Sequence, residues 1–459
     1  MLQMGVVSKL SLLVLLLAIA VGFYMYYMVP PPEAPEVSDG WFGPGADPKP
    51  DDTAIHRFTV NVSDETLADL KQRLARSRLT RDLEGGTLEY GMQTHILKGV
   101  LDYWQTKYSW RKHEKILNSF DQYKTQIEGI MVHYIHAKSR HENAKPLLMI
   151  HGWPGSVWEF YKIIPMLTDP TQHGGTADDA FDVICPSIPG YGFSEIPHQK
   201  GFDPEAAARI FHKLMMRLGH DKFYVQGGDW GAGIGTTMAQ AFPKNIIGLH
   251  LNMANAPLNS GTAVLLQWLA SIWPSLIVDQ SDVWKVRPLG EIWLDILKET
   301  GYAHIQATKP DTVGVGLDDS PAALAAYILE KFATFQHDGL KARSAADGGL
   351  FNNFSEDELI TDVMIYWVTG TGKSAVRLYR ECVHGRIISS DGWDLVPVRV
   401  PTGIANFPFE AQLVPRNILA LRYKNIVHFE DMPRGGHFAA LEQPLLLAKD
   451  VRAFVRKLS

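Results

Sequence analysis

Residues 222–242 read KFYVQGGDWGAGIGTTMAQAF. The apolar start predicts a short buried strand, and the run of small residues from Gly233 predicts a helix. Between them, Gly227 and Gly231 stand two places either side of Asp229, which permits the sharp strand-to-helix turn that lifts one side chain above a parallel sheet. A hydroxyl there would suggest acyl transfer. An aspartate is ionised at neutral pH and attacks without a base, but it leaves an ester that another group must hydrolyse. Alkylating substrates are therefore expected, either epoxides or alkyl halides. Two blander readings compete: glycines chosen for packing, and a dinucleotide site. The Gly231, Gly233, Gly235 spacing departs from the dinucleotide fingerprint, and no acidic residue follows at the ribose-binding distance.

Outward from this stretch, PLLMI (146–150), FDVICPSI (181–188) and IIGLHLN (246–252) read as further strands buried on both faces. Residues from Ala254 to about Leu395 turn helical and tryptophan-rich, and strand texture returns at 397–405 and 424–429. This alternation predicts an α/β fold with a cap inserted into a parallel sheet. Upstream, Ser63 is the expected cap of a helix whose apolar face is Leu67, Leu70, Leu74 and Leu79, and 94–108 reads as a second helix. A helical N-terminal extension follows.

The chain has 459 residues, 46% of them hydrophobic, and a formal charge of -6. With no basic block, nothing points to nucleic acid as a partner. Cys185 and Cys382 are too few for a disulfide framework and lack metal-ligand spacing, so neither metal nor cofactor is expected. Leu10 to Val29 carries no charge, and its 20 residues would span about 30 Å as a helix, the length of a single membrane anchor. A cleaved signal peptide is the rival reading. The segment after it, PEAPEVSDGWFGPGADPKPDD, reads as a linker or wrapped arm in which Trp41 and Phe42 dock. Asn61 and Asn353 each begin a glycosylation sequon.

His151-Gly152-Trp153-Pro154-Gly155 follows the first clear strand, where a turn can aim a backbone N–H at the nucleophile. The N–H groups of Trp153 and Trp230 would form an oxyanion hole, and both rings would wall the substrate pocket. Glu410 lies just past one strand and His437 beyond the last, giving the order Asp, Glu, His. His437 would take a proton from water while Glu410 orients its ring; Asp431 is the alternative orienting acid.

The motifs HGWPGS, GGDWG, FPFE and RGGHF, the arm DGWFGPG and the apolar N-terminal run together resemble the microsomal epoxide hydrolases, including the juvenile-hormone epoxide hydrolases. The resemblance covers nearly the whole chain. It implies an α/β-hydrolase core at 141–255 and 396–459, a helical cap at 256–395, an extension at 31–140 and an endoplasmic-reticulum membrane anchor at 1–30. It also implies that Tyr302, in ETGYAHIQATKPDT, and Tyr379, in AVRLYRE, hydrogen-bond the oxygen of a lipophilic epoxide that water converts to a diol. A haloalkane dehalogenase, which would not need those tyrosines, and a silent hydrolase-like binding module are the alternatives.

Overall fold

The computed structural model describes residues 32–257, 259–388 and 392–458, so the apolar run 10–29 lies outside it. Among the described residues nine strands form one sheet: β1 (His56–Phe58), β2 (Gln122–Ile127), β3 (Ile130–Ala137), β4 (Lys145–Ile150), β5 (Phe181–Pro186), β6 (Phe223–Gly227), β7 (Ile246–Leu251), β8 (Thr402–Asn406) and β9 (Ile426–Asp431). Their order is β1-β2-β3-β5-β4-β6-β7-β8-β9. From β5 through β9 every pair is parallel, and the β1 to β3 edge is antiparallel up to β5.

Side chains along the central strands alternate between two cores, as a period of two requires. Leu148 and Ile150 of β4 and Val225 of β6 pack with Phe211, Leu214, Ile234 and Met238, from helices Pro204–Arg217 and Asp229–Ala241 on one face. Leu147 and Met149 of β4 and Tyr224 of β6 pack with Ile163, Leu167, Val451 and Phe454, from helices Ile163–Thr168 and Pro444–Arg456 on the other. Both faces are covered, which is why these strands read as continuous apolar runs. Helices fill the chain between β7 and β8, including Gly301–Thr308, Pro321–Phe335, Glu356–Thr369 and Gly372–Cys382.

Three expectations need correction. The N-terminal extension is not purely helical, because β1, β2 and β3 widen the sheet at one edge and make it mixed. Strands β2 and β3 meet at Glu128-Gly129, both at positive φ (52° and 85°), the geometry that joins twisted antiparallel strands. The helix capped by Ser63, whose hydroxyl accepts the Thr66 N–H, ends at Ala75, so Leu79 lies beyond its apolar face and is exposed. Strand β8 begins at Thr402, five residues later than expected, because Pro397 and Pro401 supply no ladder N–H.

The arm at 32–55 is wrapped onto the body. Phe42 is buried edge-on to Phe202, its N–H donates to the Glu128 carbonyl at 2.8 Å, and Asp51 accepts the N–H groups of Glu128 and Gly129. The cysteines form no disulfide; Cys185 is buried in β5. Among the described residues no helix is long and apolar enough to cross a membrane.

Candidate active site

Asp229 is the first residue of its helix and directly follows β6 and Gly228. Its φ is +50°, a left-handed conformation unusual for a non-glycine residue. Close approach enforces the glycine two places on, since a β-carbon at Gly231 would overlap the Ile150 carbonyl of β4. The turn therefore projects the carboxylate at the carboxyl ends of β4 and β6, where sites of open α/β sheets lie.

One carboxylate oxygen of Asp229, Oδ1, accepts the backbone N–H of Trp153 at 2.8 Å. Of the two N–H groups expected to make an oxyanion hole, only this one bonds the carboxylate among the described residues. The other oxygen, Oδ2, lies 3.5 Å from His437 Nε2. His437 Nδ1 is 2.5 Å from Glu410 Oε1, which also accepts the Ala411 N–H. The three residues thus form a continuous line, with the His437 side chain 8% and Glu410 1% exposed.

Burial alone would depress the His437 ring. The Glu410 charge beside it, with the hydrogen bonds to Asp229 and Glu410, outweighs burial and holds the imidazole well above its ordinary value. The loop bearing it is fastened to the cap, because the His437 N–H donates to the Phe335 carbonyl at 2.8 Å. Asp431 does not join this line among the described residues: its carboxylate pairs with Lys285 at 2.6 Å and accepts from Asn406.

Tyr302 and Tyr379 come from separate helices and meet the same site. The Tyr302 ring stacks on Trp153 at 5.2 Å, Tyr379 stands edge-on to Trp230 at 4.7 Å, and the two tyrosine rings are 6.0 Å apart. Burial foremost, and then for Tyr302 the Asp229 charge and for Tyr379 its neighbour Tyr302, push both phenols upward, so both remain protonated. An aromatic box of Trp153, Trp230, Tyr302 and Tyr379 therefore stands over the Asp229 turn.

His151, which opens the motif, is structural. Its Nδ1–H donates to the Gly152 carbonyl and its Nε2 accepts the Ile188 N–H; burial lowers its pKa to about 4, keeping it neutral. The Asn353 amide is occupied by Gln336 and His337 within the fold, whereas Asn61 is exposed.

A cavity of about 20 Å³ touches Asp229 and His437, and Glu159, Gln226 and Asn252 also line it. Sequence reading missed these three residues. The only available signal was an acid, Glu159, four residues after Gly155 in a helical turn otherwise apolar, and an acid there reads as a surface residue.

Residues 55–160 match the family described as "Epoxide hydrolase N terminus", and 145–272 match "alpha/beta hydrolase fold". The chain is 47% identical to epoxide hydrolase 1 of Oryctolagus cuniculus over 452 residues, covering 97% of this chain and 98% of that protein. It is 44% identical to juvenile hormone epoxide hydrolase 2 of Ctenocephalides felis, covering 97% and 95%. Among solved structures, the juvenile hormone epoxide hydrolase of the silkworm Bombyx mori superposes with a TM-score of 0.85 at 39% identity, over 92% of this chain and 98% of that one.

Proposed function

We propose, from the premise that this chain belongs to the microsomal-type epoxide hydrolase family, that it converts lipophilic epoxides to vicinal diols through an ester on Asp229. The observation that carries the reading is the line Asp229, His437, Glu410 standing beside two protonated tyrosines from the cap.

With Oδ1 held by the Trp153 N–H, Oδ2 is the oxygen left to attack an epoxide carbon. The carbon–oxygen bond of the ring breaks, and the departing oxygen takes a proton from a tyrosine hydroxyl. Forming the ester removes the negative charge of Asp229, one of the two charges that keep His437 protonated. The imidazole then gives up its proton, which restores the tyrosine, and becomes the base for the next step. Water adds to Cγ as His437 accepts its proton, with Glu410 stabilising the imidazolium and the Trp153 N–H the oxyanion. Cleavage of the Cγ to substrate-oxygen bond, with the proton returned from His437, releases the diol. Asp229 is left as a carboxylic acid and passes its proton to His437, so the carboxylate regains its charge and the imidazolium of the resting state is restored.

Turnover in oxygen-18 water tests this cycle. Label is expected in the Asp229 carboxylate over repeated turnovers; diol formed with no label in Asp229 would mean water attacks the epoxide directly. Replacing both Tyr302 and Tyr379 by Phe is expected to slow ring opening by roughly 10²-fold or more, since each removes a donor to the developing alkoxide. Ester hydrolysis should change little in that variant. Rapid-mixing measurement of the two steps decides, and equal slowing of both would remove the tyrosines from their assigned role.

The membrane reading belongs here too. The uncharged run Leu10 to Val29 suits a single-pass anchor in the endoplasmic reticulum. The exposed cap residues Trp268, Trp273, Leu276, Trp293 and Leu297 support a life beside lipid, since large exposed apolar side chains suit interaction surfaces.

A further inference from the structure

The cycle above leaves one carboxyl group at the site without a task. Glu159 lies in the turn Val157–Phe160, four residues beyond Gly155, and borders the small cavity together with Asp229 and His437. Its carboxyl oxygen occupies the space that a β-carbon on Gly155 would need, so the glycine clears the place in which the acid sits. No protein cation or hydrogen-bond donor holds that carboxyl group among the described residues.

Gln226 gives the cavity further polar lining with capacity to spare. The side-chain nitrogen of Gln226 is spent on Asn252 at 2.8 Å, while its buried Oε1 has no partner. A cavity of about 20 Å³ holds about one water molecule, and a buried water requires two or more polar partners. Glu159, Gln226 and His437 supply them.

From this geometry we infer that Glu159 holds the hydrolytic water against Cγ of the Asp229 ester. One O–H of the water is directed at His437 Nε2, the carbonyl oxygen of the Glu159 acid accepts the other, and Gln226 Oε1 stands as a second acceptor. A lone pair then faces Cγ. Burial by the surrounding protein, foremost, pushes Glu159 well above the usual carboxylate range. It therefore acts as an uncharged acid, adding no charge against the Asp229 carboxylate. Asp362 is similarly raised, to about 8, with its Oδ1 bonded by the Ser156 hydroxyl.

The inference rests on the two-step ester reading, and the test separates the two. Full-length enzyme is mixed rapidly with a lipophilic epoxide, and ester formation and decay are followed by tryptophan fluorescence, because Trp153 and Trp230 adjoin the nucleophile. Glu159→Leu is expected to leave ester formation within about twofold and to slow ester hydrolysis roughly 10- to 100-fold, the cost of a misplaced reactant, so that ester accumulates. Glu159→Gln, which keeps an uncharged acceptor of the same shape, is expected to restore hydrolysis to within several-fold of the parent. Equal loss of both steps in Glu159→Leu, unchanged hydrolysis, or a Gln variant no better than Leu would each overturn the inference. Absence of any ester in the parent enzyme would instead overturn the underlying cycle.

Discussion

Asp229→Ala is expected to lower kcat by about six orders of magnitude, the scale on which removing a covalent nucleophile acts. Nothing else at the site can take over the attack. His437 is held protonated in the resting state, and Glu410 is committed to His437 and the Ala411 N–H with 1% of its side chain exposed. Glu159 is uncharged and so a poor nucleophile. The fold should survive, because the Asp229 side chain bears on the site and not on either core. The measurement is diol production from a lipophilic epoxide, accompanied by circular dichroism. A correctly folded variant retaining a hundredth of the parent rate would show that ring opening proceeds without an Asp229 ester.

His437→Gln should fail at a different point. The amide can occupy the ring's place but cannot accept a proton, so ester formation should persist while ester hydrolysis falls by about 10²- to 10⁴-fold, the range of a positioned general base. The Gln variant also loses the imidazolium that would reprotonate a tyrosine, so ring opening should slow modestly. Intact-protein mass spectrometry should then show a species heavier by one substrate, with the added mass on the peptide 223–242. An inactive variant that accumulates no adduct would break the assigned division of labour, as would continued diol formation with no adduct at any time.

Much of this site could be read in the chain because the parts that carry it are local. The Gly227 to Gly231 turn, the Trp153 loop after β4 and the Asp, Glu, His order each leave a signature of spacing, and the strands behind them are apolar on both faces. The tyrosines leave none. Tyr302 and Tyr379 lie on two helices, and only the packing of those helices around Trp153 brings the rings to 6.0 Å, so resemblance alone singled them out. Glu159 was invisible for a further reason: its neutrality follows from tertiary burial, whereas its letter in the sequence announces a charge.

The fold shows the same division between local and non-local information. Strands β4 to β7 were legible as buried apolar runs. Strand β2, QYKTQI, was not, because its polar residues find partners only after folding: Gln122 donates to the Leu117 carbonyl, and Thr125 accepts from Arg217. At Leu79 the apolar spacing outlasted the helix, and at 397–401 the apolar texture outran the hydrogen-bonding capacity of a chain with two prolines.

The positive φ of Asp229 has a consequence beyond reactivity. A non-glycine residue held there costs about 1–3 kcal/mol, a strain that glycine would relieve. Variant libraries sorted only by melting temperature would thus be drawn toward inert chains at this codon. Engineering for robustness has to score turnover alongside heat tolerance, because a strained backbone position is here also the one to which the ester cycle assigns the attack.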